Sequence, residues 1–290
     1  MIDVQADAFL TRINTPQQYS PHTRQAYASD VRSFLLFLRD AQGSEPTLED
    51  FTAKMVQAYM DHQRHLGLQS STLNRRLVSL RRFSRYLVTE GLIRQDPTRN
   101  VTTSLEAREA PGSTTVLSEE EIQHLEATMA LKPNARSWRD RSIMALLLET
   151  GFTTGRLIAV NLGNYDMRGA KIFLQDAAGD SLQIDILDCA ASLRIYLQKG
   201  RPELASPNAA ALFVSQRGGR MSRQIVWHML RKWGQQARLE KEVSPRAIRH
   251  TAVHRMLKSG RSTVEIMNLL GHRNRHSTEA LIRRVRAAKK

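Results

Sequence analysis

Two stretches near the end of the chain, SPRAIRHT at residues 244–251 and LLGH at residues 269–272, place arginine and histidine on predicted helices. The spacing of apolar residues predicts those helices at about 245–258 and 262–270. Residues 241–290 contain 13 Lys and Arg but only 3 Asp and Glu, a net charge of +10. So basic a helical segment favours contact with a polyanion.

The whole chain has the same bias, with 43 Lys and Arg against 28 Asp and Glu in 290 residues, a net charge of +15. Residues 1–110 carry only +2 of this excess, and the remainder carries +13. The partner classes that such a charge favours are nucleic acid and an acidic membrane surface. A basic surface that serves only solubility is the alternative.

Several classes of protein are disfavoured by composition. Cys189 is the only cysteine, which excludes a disulfide framework and a cysteine-rich zinc site. The longest apolar run, residues 143–148, is far shorter than the roughly 20 residues that span a bilayer. The first residues lack a basic stretch followed by an apolar one, so no secretory signal is predicted. We therefore expect a cytoplasmic protein without a metal, a cofactor or a membrane partner.

The length predicts two domains. We place a helical domain at 1–100, a linker at 101–113 and a second domain at 114–290. In the first domain, Ser20 and Thr47 are predicted N-caps, and Ser70 opens a helix whose buried face includes Leu73, Leu77, Leu80 and Leu87.

The second domain mixes helices with a small sheet. Ser118 and Glu121 form a predicted capping box, and an apolar helix at about 137–149 ends at Gly151. Two short strands, 171–174 and 182–186, flank a turn, which predicts a hairpin. Further helices are predicted at about 188–199 and 222–237, with Trp227 and Trp233 in the core. The predicted fold is mainly α: a helical domain, then an α+β domain with a small antiparallel sheet.

The order of these segments resembles the tyrosine recombinase family, the phage-integrase and Xer-type enzymes. The resemblance covers nearly the whole chain and rests on motifs that keep the order and approximate spacing of that family: YSPHT at 19–23, NRRL at 74–77, EGLI at 90–93, TG at 150–151, FVS at 213–215, RGG at 217–219, SPRAIRHT at 244–251 and LLGH at 269–272. It implies a SAM-like core-binding domain, a catalytic-fold domain and double-stranded DNA as the partner. No metal, nucleotide or small-molecule substrate is implied.

The resemblance also implies a catalytic set: an arginine, a lysine on the hairpin, a His-x-x-Arg pair, a histidine or tryptophan, and a tyrosine nucleophile. Arg249 and His272 match this set. The other matching positions are Thr153 for the first arginine, the turn around Asp176 for the lysine, Arg246 for the histidine of the pair, and Leu281 for the tyrosine. The last tyrosine in the chain is Tyr196, so we expect no phosphotyrosyl chemistry.

Candidate DNA contacts are the arginines that crowd one predicted helix of the first domain and those that follow the family motifs of the second. They are Arg75, Arg76, Arg81, Arg82, Arg85, Arg156, Arg217, Arg220, Arg223, Arg246, Arg249, His272, Arg273 and Arg275. Such contacts to phosphates supply affinity, and they leave open which side chains read bases.

These observations lead to a hypothesis of an inactive tyrosine recombinase homologue that binds duplex DNA, as a site-specific regulator or as an accessory factor of a mobile element. Its candidate protein partners are an active recombinase or a second copy in a weak dimer. The alternative is an active recombinase or integrase with displaced catalytic groups. A basic module that binds protein or membrane is a third, less favoured class.

Overall fold

A computed structural model describes residues 1–13, 19, 21–102, 114–175, 181–272 and 274–288. The chain divides into two compact units, residues 1–110 and 111–290. The predicted linker falls mostly outside the described residues, so the domain boundaries given above stay a prediction.

The first unit consists of four helices, α1 (Ile2–Ile13), α2 (Pro21–Gln42), α3 (Ala53–His65) and α4 (Ser70–Thr89). Their apolar faces enclose one core, in which Phe34, Tyr59, Leu80 and Phe83 are fully buried. The predicted buried face of α4 is confirmed, and Gly91, with φ of 69°, follows its end.

One predicted helix start in this unit is wrong. Thr47 does not cap α3: its backbone N–H and its hydroxyl donate to Asp50, and the N-cap is Thr52, whose side chain accepts from the Met55 N–H. Both threonines precede a helical pattern, and the Asp50 carboxylate engages the first of them in a local turn.

The second unit begins with α5 (Glu119–Ala130), α6 (Ala135–Thr150) and α7 (Thr154–Ala159). The capping box of Ser118 and Glu121 is confirmed, and Gly151 ends α6 in the left-handed conformation. A side chain there would be strained, because a Cβ on Gly151 would lie 2.7 Å from Leu270 Cδ2.

The sheet has three antiparallel strands in the order β1 (Tyr165–Asp166), β2 (Lys171–Gln175) and β3 (Ser181–Asp185). The predicted β2–β3 hairpin is confirmed, with Phe173 paired to Gln183, whereas β1 was not predicted. A two-residue strand is too short to give an alternating pattern. The turn at 176–180, which includes Asp176, lies outside the described residues.

Helices complete this unit: α8 (Ala190–Ile195), a π-helical turn at 196–200, α9 (Arg201–Leu204), α10 (Arg223–Gln236), α11 (Pro245–Lys258), α12 (Thr263–Leu270) and α13 (Arg275–Ala287). The described part is therefore mainly helical with one small sheet, as predicted. No described helix is long and apolar enough to cross a bilayer.

A buried polar network joins α6 to α10 and to the segment before it. Arg139 donates from Nε and Nη2 to Asp140 Oδ1, at 2.9 and 2.7 Å, and from Nη1 to the Val214 carbonyl at 3.0 Å. Trp233 Nε1 donates to the other carboxylate oxygen of Asp140 at 2.9 Å. These bonds satisfy the buried charges and fix the C-terminal part of α10 relative to α6.

Candidate DNA-binding site

The centre of the candidate site is a contact between Arg249 on α11 and His272, which directly follows α12. Arg249 Nη2 lies 2.8 Å from His272 Nε2. Because a guanidinium only donates, Nε2 is the acceptor and the ring proton is on Nδ1, which donates to Thr278 Oγ1 at 2.8 Å. His272 is thereby held as a neutral group that orients Arg249.

Burial favours the same state. It lowers the pKa of His272, and the nearby Arg249 charge lowers it further. Burial, and then the charge of Arg156, lower the pKa of Arg249 to about 10, which still leaves this guanidinium charged at neutral pH. The site therefore combines a fixed cation with a neutral histidine.

Arg156 on α7 lies beside this pair. Its Nη1 donates to the Leu269 carbonyl at 2.8 Å, and its guanidinium carbon lies 4.6 Å from the centre of the Phe152 ring. Gly271 leaves space for it, because a Cβ on Gly271 would lie 2.6 Å from Arg156 Nη1. A second guanidinium thus enters the site from one turn beyond Thr153.

Two more arginines pack on α7. Arg220 donates to the Ile158 carbonyl, and its Nη2 donates to Asn161 Oδ1 at 2.6 Å. The guanidinium of Arg223 lies over Gly155, where a Cβ would be 2.8 Å from its Nη2. The exposed Arg246 stands in the first turn of α11, on the helix that carries Arg249.

These arginines share one property. Within the described ranges, no ion pair joins a carboxylate to Arg156, Arg220, Arg223, Arg246 or Arg249. The sequence indicated these five individually, and the structure groups them around α7 and the start of α11. A cluster of guanidiniums without carboxylate partners is suited to an anionic ligand.

The other basic candidates of this unit are more dispersed. Arg217 is exposed in the turn that contains Gly218 and Gly219. Arg275 is exposed, but its Nε lies 2.8 Å from Glu279 Oε1 in an ion pair one helical turn long. Arg273 lies outside the described residues.

The first unit divides the predicted arginines of α4 into two groups. Arg75 pairs with the buried Asp30, and Arg76 Nη1 donates to the oxygens of Ser33, Tyr59 and Gln63. These two arginines stabilise the helix packing. The exposed Arg81, Arg82 and Arg85 remain as candidates for DNA contact on this helix, and Arg81 also donates to the Val101 carbonyl.

The position that the resemblance assigns to the tyrosine nucleophile has no hydroxyl group, because it is Leu281. Leu281 packs against the apolar cluster of α11, α12 and α13. Tyr196 is fully buried: its hydroxyl donates to the Leu212 carbonyl at 3.2 Å and accepts from the Val214 N–H at 3.3 Å. Burial raises the pKa of Tyr165, the other tyrosine of this unit, and the charged groups near it are Arg194 and Asp166.

The two hydroxyls that follow His272 in the first turn of α13 also have partners. Asn274 is the N-cap of α13 and accepts from the N–H and the hydroxyl of Ser277. Thr278 lies inside the helix, is fully buried and contacts His272 Nδ1. Asn274 acts as the N-cap because its side chain accepts from the N–H of the third residue of the helix.

One predicted core residue is wrong. Trp233 packs on the core, but Trp227 is partly exposed, with Arg231 4.7 Å above its ring and His228 edge-on at 4.9 Å. Trp233 lies on the face of α10 that Val226 and Leu230 bury, whereas Trp227 is turned about 100° away from Val226, where Arg231 covers its ring. The described residues contain no group of three His, Cys, Asp or Glu suited to a metal ion.

A second histidine near the site predicts a pH-dependent stability. His250 is 3% exposed, and burial, followed by the charges of Arg246, Arg284 and Arg249, lowers its pKa to about 4. Below pH of about 6.5 the unfolded chain binds a proton that the folded chain does not, so stability falls as the pH drops towards 4. We expect a loss of about 2 kcal/mol between pH 7 and pH 5.

Urea unfolding at pH 7, 6 and 5 measures this effect. His250→Gln removes this titrating group and should reduce the pH dependence, leaving the smaller part that His272 contributes, whereas the exposed His124→Gln should leave it unchanged. Parallel pH profiles for the parent protein and His250→Gln would contradict the assignment.

Comparison with known proteins gives a consistent result over both units. The family described as "Phage integrase family" matches residues 115–285, and the one described as "Phage integrase, N-terminal SAM-like domain" matches residues 6–91. The chain is 28% identical to tyrosine recombinase XerD of Lacticaseibacillus casei, covering 93% of this chain and 90% of the relative. It is also 28% identical to tyrosine recombinase XerC of Pelotomaculum thermopropionicum, covering 95% and 92%.

Solved structures share the fold. An integrase of the Tn1549 transposon, in complex with a circular intermediate DNA, matches with a TM-score of 0.77 at 15% identity, over 98% of each chain. A lambda integrase tetramer bound to a Holliday junction matches with a TM-score of 0.73 at 16% identity, over 97% of this chain and 76% of the other. With a SAM-like first domain and a second domain that matches over its whole described core, this chain belongs to the phage integrase family of tyrosine recombinases.

Proposed function

We propose that this protein binds duplex DNA through the arginine cluster around α7 and α11 and does not cleave it. The observation that carries the proposal is the composition of the site: Arg156, Arg249 and His272 come together, whereas the family position of the nucleophile is Leu281. The hydroxyl of the last tyrosine, Tyr196, is buried and donates to the Leu212 carbonyl. Guanidiniums bind phosphate oxygens without further chemistry, but opening a phosphodiester by this route needs a phenolic oxygen to accept the phosphorus.

The replaced positions support the same function. Thr153 is the N-cap of α7, and its hydroxyl accepts a hydrogen bond from the Arg156 N–H at 3.2 Å. Arg246 cannot act as a base because a guanidinium has no free acceptor for a proton, although it can bind phosphate. A site-specific regulator, or an accessory factor of an active recombinase of a mobile element, needs this binding and no strand cleavage.

The relatives support a second candidate function, site-specific recombination. Those reported above are called tyrosine recombinases, and the lambda integrase and Tn1549 structures contain DNA, the former as a tetramer. For this function the nucleophile must come from outside the family position, for example from another subunit. Assembly as a multimer on DNA, rather than as a monomer or weak dimer, would accompany it.

One experiment separates the two candidates. Fragments selected from the source genome by binding give the duplex, and a nicked suicide version of it traps any covalent intermediate. We expect a mobility shift at roughly 50–100 mM salt, where phosphate contacts are strong, and no band that survives denaturation. A covalent protein–DNA band would establish recombination, and the absence of any shift would overturn DNA binding.

A further inference from the structure

We infer that Arg156 and Arg249 bind one and the same phosphate, with His272 as the group that orients Arg249. This inference rests on the proposed binding of duplex DNA and adds to it which side chains act as a unit. It also assigns a role to Arg156: this side chain supplies the second cation of the site, although it lies one turn beyond Thr153, the family position of the first arginine.

The two guanidiniums converge on the same two chain segments. Arg249 donates to the carbonyl of Gly151 and contacts His272, while Arg156 stacks on Phe152 and donates to the carbonyl of Leu269. Both arginines therefore bridge the end of α6 and the end of α12. Gly271 lies between Leu269 and His272, and its missing side chain leaves the space that Arg156 occupies.

The charges of the pair are uncompensated. Both side chains are partly buried, burial lowers the pKa of each, and Arg156 lowers that of Arg249 further. Among the described residues no carboxylate forms an ion pair with either one. Two like charges held close in a partly desolvated site are costly, and a single anion between them removes that cost.

The remaining donors suit a phosphate. A guanidinium has five N–H groups, of which the hydrogen bonds described above use two on Arg249 and one on Arg156. Stacking on Phe152 and the carbonyl and histidine contacts hold both planes in place, so little side-chain entropy is lost on binding. A phosphodiester with two free oxygens can accept from both forks at once.

The salt dependence of DNA binding tests this arrangement, since the slope counts neutralised phosphates at about 0.9 each. We would measure the affinity of the full chain for a duplex of about 30 base pairs with Arg156→Gln, Arg249→Gln and the double variant. Each single variant should bind about tenfold more weakly, with nearly the parent slope, because the other arginine still holds the phosphate. The double variant should lose about 0.9 of slope.

Controls separate this inference from the proposed function and from misfolding. Arg194→Gln removes an exposed arginine of the same unit, and Arg156→Lys keeps the charge without the fork, so it should show the parent slope with reduced affinity. Thermal midpoints are compared for all variants. If the parent protein does not bind duplex DNA, the proposed function is refuted. If the parent binds, the shared phosphate alone is refuted by either of two results: Arg156→Gln binds with the same affinity as Arg194→Gln, or the double variant loses about 1.8 of slope.

Discussion

Replacement of Asp30 by alanine is expected to destabilise the first unit by about 3 kcal/mol, a large fraction of the stability of a domain this size. Asp30 is 1% exposed and accepts from Arg75 and from the Ser79 hydroxyl, the latter at 2.6 Å. Arg76 Nε is 4.0 Å from its other oxygen. Removing the carboxylate leaves Arg75 and the buried Ser79 without their shared acceptor and the partly buried Arg76 without its nearby opposite charge. This costs more than the net value of the pair.

The distribution of tryptophan makes this effect measurable in the intact chain. All three tryptophans, at 138, 227 and 233, lie in the second unit, so their fluorescence reports that unit while circular dichroism reports both. In urea, Asp30→Ala should lose helical signal well before the tryptophan transition. Asp40→Ala, at an exposed position of α2, is the control, and a helical transition unchanged from the parent protein would refute the role of Asp30.

Loss of Arg220, Arg223 and Arg246 together, each changed to glutamine, is expected to have the largest effect on DNA binding. If each neutralises its own phosphate, the slope of log affinity against log salt should fall by about 2.7. Affinity should fall for all duplexes alike, since phosphate contacts carry no sequence information. Fluorescence anisotropy with a labelled duplex over a range of salt concentrations measures both quantities.

The matched control removes three exposed arginines elsewhere in the same unit, Arg136, Arg168 and Arg194, with the same change in net charge. If affinity depends only on net charge, the two triple variants will behave alike, and the arginine cluster has no special role. A slope that falls only in the first variant supports direct contacts at α7 and α11.

Local signals in the sequence were sufficient for most of the helices and for the hairpin. The capping box at Ser118, the left-handed Gly151 and the apolar face of α4 each depend on residues within one or two turns of each other. Such interactions are decided by spacing alone, so the mainly helical fold with a small sheet followed from the pattern. The failure at Thr47 arose where two polar side chains, those of Thr47 and Thr52, competed for one helix start.

The roles of the arginines were decided by tertiary structure. The sequence placed Arg75 and Arg76 beside Arg81, Arg82 and Arg85 on one basic helix, but only packing of α4 against α2 and α3 shows that Asp30, Tyr59 and Gln63 engage the first two. Likewise, no spacing rule connects Arg156 with Arg249 and His272, which follow it by 93 and 116 positions. They meet because the ends of α6 and α12 lie beside the first turns of α11. A charge pattern along a chain fixes how many cations a surface carries, whereas partners far away in sequence fix which of them remain available to a ligand.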